Sequence, residues 1–496
     1  MKVVTPEEMA VMDRRTIKAG ISDYELMEKA GTRCARIIMD EIEEDDRVLV
    51  LCGAGNNGGD GQVIARQLAN GGWTVRVLFT SDASKMTPSS ERNYTRLKEI
   101  SVPCDFYEEM NKKVQGAIDD CDVLVDAVFG NGLKDRPLYD KIVRLFTAVN
   151  ASGAVKYAVD MPSGLRGTVG KTVGCAIRAD RTLVIQCMKT GGLLGDGPDY
   201  LGRATCVDVG ISEATVNTDK YLLTADTLSS RLERKKNSHK YQMGSVAVVA
   251  GSPGMIGAGV LASTAALRSG AGLVTTLCDE RIYPIMAVKM PPEIMVRTFT
   301  EGDLADQLDD RKKDVILFGP GMGRDRDYSG VLLELMGQVK PVVLDADGLY
   351  HLHPVVGALK NREGGPVVLT PHLGEFAALT GLSKEDIEKD PIGIGGRFAS
   401  LYRVILVLKG HHTMIFSPEG EVWFNTTGNA GMATAGSGDV LAGLTAGFIP
   451  QYGSVLEAVK AAVYYHGAAG DDYAARWGEA TLVAGDLIDG LKNILR

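Results

Sequence analysis

The chain has 496 residues, of which 45 % are hydrophobic and 24 % are charged, and its net charge is −9. This length suffices for two or three domains with full cores, and the composition is that of an ordinary globular protein. The acidic balance, without any run of lysine or arginine, argues against nucleic acid or an anionic membrane as a partner. No apolar run reaches the roughly 18 residues that a membrane-spanning helix needs.

The eight cysteines are scattered and form no CxxC pair. This usage predicts reduced thiols in a cytoplasmic protein, not a disulfide framework or a zinc site. The N-terminal stretch lacks the apolar segment of a secretory signal, so we expect none. All seven histidines lie at position 239 or later, so proton transfer in the first half would have to use carboxylates, water or less usual bases.

The first half alternates helices with strands. Apolar spacing predicts helices over 6–19 and 23–41, followed by strands at 47–52, 74–79, 122–129, 155–161, 182–187 and 204–210. Alternation of this kind is typical of a mostly parallel sheet covered on both faces, which binds ligands at the carboxyl ends of its strands. Here those ends carry residues 53–61, 126–132 and 160–164.

The second half repeats this alternation after a polar stretch. It predicts strands at 244–251, 273–278, 314–319, 341–347, 366–371 and 404–410, a hairpin at 414–425, and helices at 257–269, 437–450, 454–475 and 484–494. Since the two halves share no fixed-period repeat, we predict two different α/β domains, over 1–220 and 241–496, joined by a linker over 221–240.

The loop GAGNNGGDG at 53–61 follows a strand and precedes a helix, as a Rossmann dinucleotide-binding loop does. A ribose-binding acid at the end of the next strand is reached only at Asp82. The side chains of Asn56, Asn57 and Asp60 suit a cation or a polar ring better than a pyrophosphate.

Further oxygen atoms come from neighbouring strand ends. Asp126 closes one strand, and Ser163 lies in the DMPSG turn. An oxygen-only ligand set with few charges favours a hard cation, and a monovalent one fits. Asp160 is the best candidate base in the half without histidine, although a lone aspartate before Met-Pro also fits a simple turn.

Polar groups also follow successive strands in the second half. They are Gly319 to Gly323, Asp345, Asp347, His372 and Lys409 to Thr413. Each of them alone could have an ordinary structural role, as a turn glycine, a helix cap or a surface side chain. Because the ends of parallel strands lie at one edge of the sheet, however, we expect these residues to lie close together. The neighbouring His411 and His412 are not expected to bind a metal, because adjacent strand residues point to opposite faces.

The stretch NAGMATAGSGDVLAG at 429–443 places a glycine-rich loop directly before an apolar helix. The backbone amides of Gly436, Ser437 and Gly438 can bind an anion at the helix start. Asp439 is then placed to take a proton from a hydroxyl that attacks a phosphate. An ordinary capped helix start would use the same residue types.

Together these motifs resemble the bifunctional NAD(P)H-hydrate repair enzymes. GAGNNGGDG, DAVFGNGL and VDMPSG match the first half of that family, and GSPGMIGAGVLASTAALRSGAGL, GPGMGRD, LDADGL, TPHLGE, LVLKG and GNAGMATAGSGDVLAG match the second half, in order. The resemblance implies an epimerase domain over 1–220, folded as a Rossmann-like three-layer sandwich. It implies an ADP-dependent dehydratase with a ribokinase-like α/β fold over 241–496.

The resemblance also implies roles for individual residues. The hydrated nucleotide would bind in the epimerase to Asn56, Asn57, Gly58, Gly59, Asp60, Gly130, Asn131, Gly132, Leu133, Lys134, Asp135, Arg136 and Asp160, and K⁺ to Asn57, Asp126 and Ser163. In the dehydratase the substrate would contact Ala258, Gly323, His372 and Asp439, and the adenine nucleotide would contact Lys409, Gly410, His411, His412, Thr413, Gly436, Ser437 and Gly438. Asp160 and Asp439 would be the catalytic residues. The family usually has Thr, Pro and Thr where this chain has Asn131, Leu373 and Ser437.

The implied reactions interconvert the R and S epimers of hydrated NADH and NADPH and dehydrate the S epimer with ADP, giving AMP and phosphate. Mg²⁺ would accompany the nucleotide, and we expect a homo-oligomer whose ligands are small molecules. A ribokinase-like small-molecule kinase with a fused nucleotide-binding domain is the alternative, since the Gly-Ser-Gly-Asp loop suits it equally. A non-catalytic nucleotide sensor is a third interpretation.

Overall fold

The computed structural model describes residues 1–133, 137–231, 236–300, 302–309 and 312–495. The chain forms two compact units, Met1–Thr218 and Asp219–Arg496. Lys220–Leu223 pairs in parallel with Val422–Asn425 and so belongs to the sheet of the second unit. This corrects the start of the predicted linker, because its first residues form a strand.

A seven-stranded parallel sheet and a separate two-stranded sheet form the frame of the first unit. The strands are β1 Val3–Val4, β2 Arg47–Cys52, β3 Thr74–Phe79, β4 Cys104–Phe106, β5 Val123–Ala127, β6 Val155–Val159, β7 Arg181–Ile185, β8 Met188–Lys189 and β9 Arg203–Val207. The helices are α1 Pro6–Lys18, α2 Asp23–Met39, α3 Asn56–Asn70, α4 Pro88–Glu99, α5 Lys112–Asp119, α6 Asp140–Ala151, α7 Thr190–Leu193 and α8 Gly197–Leu201.

The strand order of the larger sheet is β4-β3-β2-β5-β6-β7-β9. The chain adds β3 and β4 on one side of β2, and then adds β5, β6, β7 and β9 on its other side. The topological switch point therefore lies between β2 and β5. Val48 and Val50 of β2 pack in one buried layer, and Leu49 and Leu51 pack in the other. Burial on both faces explains why β2 is a continuous apolar run.

The second unit contains a ten-stranded sheet. Its strands are β10 Lys220–Leu223, β11 Ser245–Val249, β12 Leu273–Asp279, β13 Met295–Phe299, β14 Val315–Phe318, β15 Val342–Leu344, β16 Val367–Leu369, β17 Ile405–Leu408, β18 Met414–Phe416 and β19 Val422–Asn425. Its helices are α9 Ile256–Arg268, α10 Tyr283–Lys289, α11 Leu304–Leu308, α12 Ser329–Met336, α13 Asp347–Leu352, α14 Leu373–Thr380, α15 Lys384–Lys389, α16 Pro391–Tyr402, α17 Ser437–Phe448, α18 Val455–Trp477 and α19 Ala484–Ile494.

The strand order here is β10-β19-β18-β17-β16-β15-β14-β11-β12-β13, and only the pairs made by β18 are antiparallel. The switch point lies between β11 and β14, where strand order reverses. The predicted α/β class with mostly parallel sheets is therefore confirmed, as is the hairpin of β18 and β19.

Candidate functional sites

The glycine loop of the first unit lies at the switch point of its sheet, between β2 and α3. A β-carbon at Gly53 would overlap the carbonyl oxygen of Val128, and one at Gly58 would overlap the carbonyl oxygen of Gly53. Because backbone occupies the space of any larger side chain, the loop after β2 packs directly on the loop after β5. Two of the segments predicted to bind substrate therefore meet.

The starts of α2, α3 and α4 converge beside this loop. Asn56 Nδ2 donates to Asp23 Oδ1 at 3.2 Å, and Asn56 Oδ1 accepts from Thr87 Oγ1 at 3.1 Å. Ser89 Oγ donates to the other oxygen of Asp23 at 2.7 Å. Helix N-termini carry partial positive charge, so this convergence favours a phosphate-bearing ligand.

Asp126 and Ser163, two of the predicted potassium ligands, are hydrogen-bonded to each other. Asp126 Oδ2 accepts from the Ser163 amide at 2.7 Å, and Oδ1 accepts from the Val128 amide at 3.2 Å. Ser163 Oγ accepts from the Phe129 amide at 2.9 Å. Burial raises the pKa of Asp126 to about 6, while hydrogen bonds from Ser163 and Val128 act in the opposite direction.

Asn57, the third predicted potassium ligand, contacts the same loop. With its side-chain amide in the orientation that satisfies both hydrogen bonds, Asn57 accepts from the Gly130 amide and donates to the Val159 carbonyl, each at 3.1 Å. Gly130–Gly132 forms a short 3₁₀ turn, and Leu133 follows it. Lys134, Asp135 and Arg136, which were also predicted to bind substrate, lie outside the described residues.

Asp160, the predicted base, sits just after β6 with a left-handed φ of 68°. It forms an ion pair with Lys189, which is fully buried and also donates to the Ile185 carbonyl at 2.6 Å. Sequence reasoning missed Lys189. A lone lysine in the apolar stretch QCMKTGGLL was the available signal, but nothing in that stretch identifies its partner.

Other carboxylates surround this ion pair. Burial raises the pKa of Asp60 well above its usual value, the charges of Asp160, Asp23 and Asp13 raise it further, and Lys189 lowers it. Burial likewise raises the pKa of Asp13 to about 6. Burial and these like charges therefore favour the neutral form of the Asp60 carboxyl.

In the second unit, α17 packs closely on α9 through small residues. A β-carbon at Gly443 would overlap the carbonyl oxygen of Ala262, and one at Gly436, where φ is 91°, would overlap the side chain of Leu261. The glycines of the 429–443 motif thus allow the two helices to approach. This packing sets the position of Asp439 in the first turn of α17.

Asp439 lies among charges of both signs. Burial raises its pKa to about 7, and the neighbouring charges of Asp345 and Asp347 also raise it, while Lys409 lowers it. A carboxyl group with this pKa is divided between its two protonation states near neutral pH. It can therefore act as a general base there.

Lys409 connects the strand ends to the start of α17. Its Nζ contacts Asp345 Oδ1 at 2.7 Å, and Thr370 Oγ1 donates to the same oxygen at 2.8 Å. Burial acts to lower the pKa of Lys409, but the charges of Asp345 and Glu375 outweigh it and raise the pKa. A β-carbon at Gly438 would lie 3.3 Å from Lys409 Nζ, so this cation stands beside the predicted anion site.

Gly323 and Ala258, both predicted to contact substrate, lie at the switch point between β11 and β14. The Gly323 amide donates to Asp347 Oδ2 at 2.9 Å, and Arg324 Nε donates to Asp347 Oδ1 at 2.9 Å. A β-carbon at Gly321 would lie 2.8 Å from the Ala258 β-carbon. The loop after β14 therefore packs against the first turn of α9.

His372 caps α14 at the same edge. Its Nδ1 accepts from the amides of Gly374 at 3.0 Å and Glu375 at 3.2 Å, so the ring proton is on Nε2. His372 also forms a parallel bridge with Lys409. Its side chain is 60 % exposed, which leaves the ring accessible to a ligand.

His466 of α18 is a second residue that sequence reasoning missed. Its Nε2 lies 3.0 Å from the Ser437 carbonyl oxygen, and since that oxygen can only accept, Nε2 carries the proton. Burial lowers the pKa of His466 to about 4, so the ring is neutral at pH 7. His466 thereby fixes the first residue of α17.

The predicted nucleotide loop follows β17 as a bend. Thr413 Oγ1 donates to the Gly410 carbonyl at 3.3 Å. The rings of His411 and His412 are 4.7 Å apart. Our expectation that they point to opposite faces is wrong, because these residues lie in a bend and not in a strand.

Comparisons with known proteins cover both units. A family model described as NAD(P)H-hydrate dehydratase matches residues 246–493, and one described as YjeF-related protein N-terminus matches residues 23–191. The bifunctional NAD(P)H-hydrate repair enzyme Nnr of Moorella thermoacetica is 37 % identical, over 100 % of this chain and 97 % of its own.

Two solved structures are similar to the second unit. One is the ADP/ATP-dependent NAD(P)H-hydrate dehydratase of Bacillus subtilis, co-crystallised with ATP and Mg²⁺, with 32 % identity and a TM-score of 0.50 over 55 % of this chain and 97 % of its own. The other is a ribokinase-like superfamily protein of Enterococcus faecalis, with 31 % identity and a TM-score of 0.50 over 56 % of this chain and 96 % of its own. The ribokinase-like fold predicted for the second half is thus confirmed, and the chain belongs to the family of bifunctional NAD(P)H-hydrate repair enzymes.

Proposed function

We propose that the chain repairs hydrated NADH and NADPH with one activity in each unit. The first unit interconverts the R and S epimers, and the second dehydrates the S epimer with ADP, giving AMP and phosphate. The observation that carries this proposal is Asp439, a partly buried carboxyl with a pKa of about 7 at a helix start, next to Lys409. That combination suits phosphoryl transfer to a hydroxyl.

In the dehydratase, Asp439 takes the proton from the C6 hydroxyl of the hydrate. The hydroxyl oxygen attacks the terminal phosphorus of ADP, and the bond to the AMP phosphate breaks. The backbone amides at Gly436–Gly438 and the ammonium group of Lys409 stabilise the charge on the transferred phosphoryl group. The ring nitrogen lone pair then expels phosphate, and loss of a proton from C5 restores the double bond.

The rim around Asp439 divides into two binding faces. Ala258, Gly323 and His372 hold the hydrated nucleotide, and Lys409 to Thr413 with Ser437 hold the adenine nucleotide. Support comes from the packing of Gly321 against Ala258 and from the His372–Lys409 bridge, which join the loops at one edge of the sheet. His466 and Asp345 support this arrangement through Ser437 and Lys409.

The proposed dehydratase site is compatible with Mg²⁺ that arrives bound to the nucleotide. Among the described residues, no group of three or more His, Cys, Asp or Glu side chains is arranged to hold a metal. Mg²⁺ commonly keeps several waters and binds through substrate phosphates with one or two carboxylates. We therefore propose that Mg²⁺ would bind through the phosphates of the nucleotide and would neutralise their charge.

In the epimerase, the hydrate binds to Asn56–Asp60, to residues 130–136 and to Asp160. The C6 carbon carries both nitrogen and oxygen, so it can invert by loss and return of hydroxide or by ring opening. Asp160, which forms an ion pair with Lys189, is the group that accepts and returns the proton in either route. Asp60, at the end of the Asn56–Asp60 segment, forms a hydrogen bond with the substrate.

Potassium fits the set formed by Asn57, Asp126 and Ser163. All three offer oxygen atoms, and Asp126 is a fully buried carboxyl to which the described residues present no cationic partner. A buried carboxylate needs a compensating charge, and a monovalent cation supplies it. When bound, K⁺ would order the loop of Val128 to Gly130 through these oxygen atoms.

The remaining predictions concern the protein as a whole. No helix within the described residues is long and apolar enough to cross a membrane. The homo-oligomeric state and the cytoplasmic location stay predictions.

The test is incubation of the protein with ADP and the S hydrate of NADH, followed by absorbance and by chromatography. Return of the absorbance of reduced nicotinamide, with one AMP and one phosphate per NADH, is the expected result. A phosphorylated product that accumulates without regained absorbance would favour the kinase alternative. Binding without turnover would favour the sensor.

A further inference from the structure

A cavity of about 730 Å³ opens in the first unit. Its walls come from residues that follow β3, β4 and β5, at the carboxyl edge of the sheet. Its size is that of a cleft for a nucleoside-sized or larger ligand. Among the described residues, none that we have assigned to potassium lines it, and Gly132 and Leu133 are the substrate residues that do.

The cavity is joined to the proposed substrate site through the backbone. The Thr80 amide, at the end of β3, donates to the Cys52 carbonyl at 2.9 Å, directly before the glycine loop. The Phe129 amide donates to Ser163 Oγ, and the Phe129 ring lines the cavity. Thr80 also lines it, so hydrogen bonds connect two lining residues, Thr80 and Phe129, to the strand end at Cys52 and to Ser163.

The walls of the cavity combine rings with polar groups. Phe106 is 40 % exposed at the cavity, and its ring stacks on buried Phe79 with centroids 5.2 Å apart. Tyr107 is fixed by its hydroxyl, which donates to the Lys141 carbonyl at 2.7 Å. Asp82, in the loop that follows β3, is exposed and also lines the cavity.

We propose that this cavity binds the adenosine half of the hydrated dinucleotide, with the adenine against Phe106 and the ribose hydroxyls near Asp82. The inference rests on the proposed function, which places the hydrated ring at Asp160 after β6. The diphosphate then crosses the switch point near the converging helix starts, and the second nucleoside must lie over β3 and β4. Asp82 thus takes the place of the ribose-binding acid that follows the second strand of dinucleotide-binding sheets.

The test compares two substrates, the R hydrate of NADH and the R hydrate of reduced nicotinamide mononucleotide, which lacks the adenosine half. Conversion to the S epimer is followed by chromatography in a potassium buffer, with spontaneous epimerisation subtracted. Ser81→Trp, which fills the cavity, should raise KM for the dinucleotide at least tenfold. Phe106→Leu, which removes the aromatic face, should raise it about 2–10-fold.

Both variants should leave KM and kcat for the mononucleotide unchanged, and Lys112→Ala, an exposed lysine outside the cavity, should leave both substrates unchanged. Equal losses on the two substrates, or no loss on either, would overturn the inference. Should the unsubstituted protein convert neither substrate, the epimerase proposal fails. The cavity is then judged by calorimetry, where Ser81→Trp must weaken binding of the dinucleotide hydrate at least tenfold, and unchanged binding overturns the inference.

Discussion

Asp439 shows how one side chain acquires its chemistry from its surroundings. Burial and the charges of Asp345 and Asp347 act against ionisation, and Lys409 acts for it, leaving a pKa of about 7. The rate of phosphoryl transfer should follow the ionised fraction of this carboxyl.

The dehydratase kcat should therefore rise about tenfold between roughly pH 6 and pH 8, because only the ionised carboxylate accepts a proton. The measurement is the initial rate of absorbance recovery from the S hydrate with saturating ADP. Lys409→Met should move this rise to higher pH, since Lys409 lowers the pKa of Asp439. A profile that stays flat over the same range would exclude Asp439 as the base.

The ion pair of Asp160 and Lys189 gives a second residue-scale prediction. Both side chains are almost completely buried, so Lys189→Met leaves a carboxylate without its partner. The free energy of unfolding of the first unit should fall by about 3–5 kcal/mol. Denaturant titration followed by fluorescence of Trp73, the one tryptophan in the first unit, measures this change.

The double variant Asp160→Asn with Lys189→Met removes both charges and should recover much of the lost stability. Lys112→Met, at an exposed position, serves as the matched control. If Lys189→Met were as stable as that control, the buried ion pair would not stabilise the fold.

Which residue types stand at the strand ends could be predicted from the sequence, but their partners could not. Lys189 contacts Asp160, and His466 contacts Ser437, and in each pair the two residues are 29 positions apart in the sequence. Periodicity and motifs describe neighbours within one element. Contacts at this separation follow only from the packing of different elements.

At the scale of elements, the contact of α17 with α9 determines where Asp439 lies. Gly443→Ala places a β-carbon against the carbonyl oxygen of Ala262, and backbone cannot yield easily. We expect a loss of about 1–3 kcal/mol in the unfolding free energy of the second unit, together with lower dehydratase activity. Thermal unfolding and the absorbance assay measure the two effects.

Gly396→Ala in α16 is the matched control, because a β-carbon there meets no atom within 4 Å. It should stabilise the protein by about 0.4–1 kcal/mol, since alanine loses less backbone entropy than glycine. Equal effects of the two substitutions would show that close helix packing is not the role of Gly443.

Elements with a strong pattern were predictable. The strand at 47–52 coincides with β2, whose alternate residues are buried in opposite layers. The sequence did not indicate β4 or β13, because β4 has three residues and β13 is mostly exposed. Short edge strands bury too little apolar surface to produce a recognisable pattern.

At the scale of the whole molecule, two α/β units each place candidate ligand-binding residues at the switch point of their own sheet. The alternation of strands and helices along the sequence predicted the α/β class of both units. The first strand of the second unit could not be predicted, since Lys220 in β10 pairs with Val422 in β19, about 200 residues later. The polar character of the stretch around it concealed this edge strand.

The most direct test of the whole account is the recovery of reduced cofactor from a mixture of R and S hydrates of NADH with ADP. The unsubstituted protein should restore both epimers, and Asp160→Ala should restore only the S fraction quickly. Asp439→Asn should still bind ADP, but it should restore the S fraction at a rate at least about 10² times lower than the unsubstituted protein. If Asp439→Asn restored the S hydrate at the unsubstituted rate, the assignment of the dehydration chemistry to that carboxyl would be contradicted.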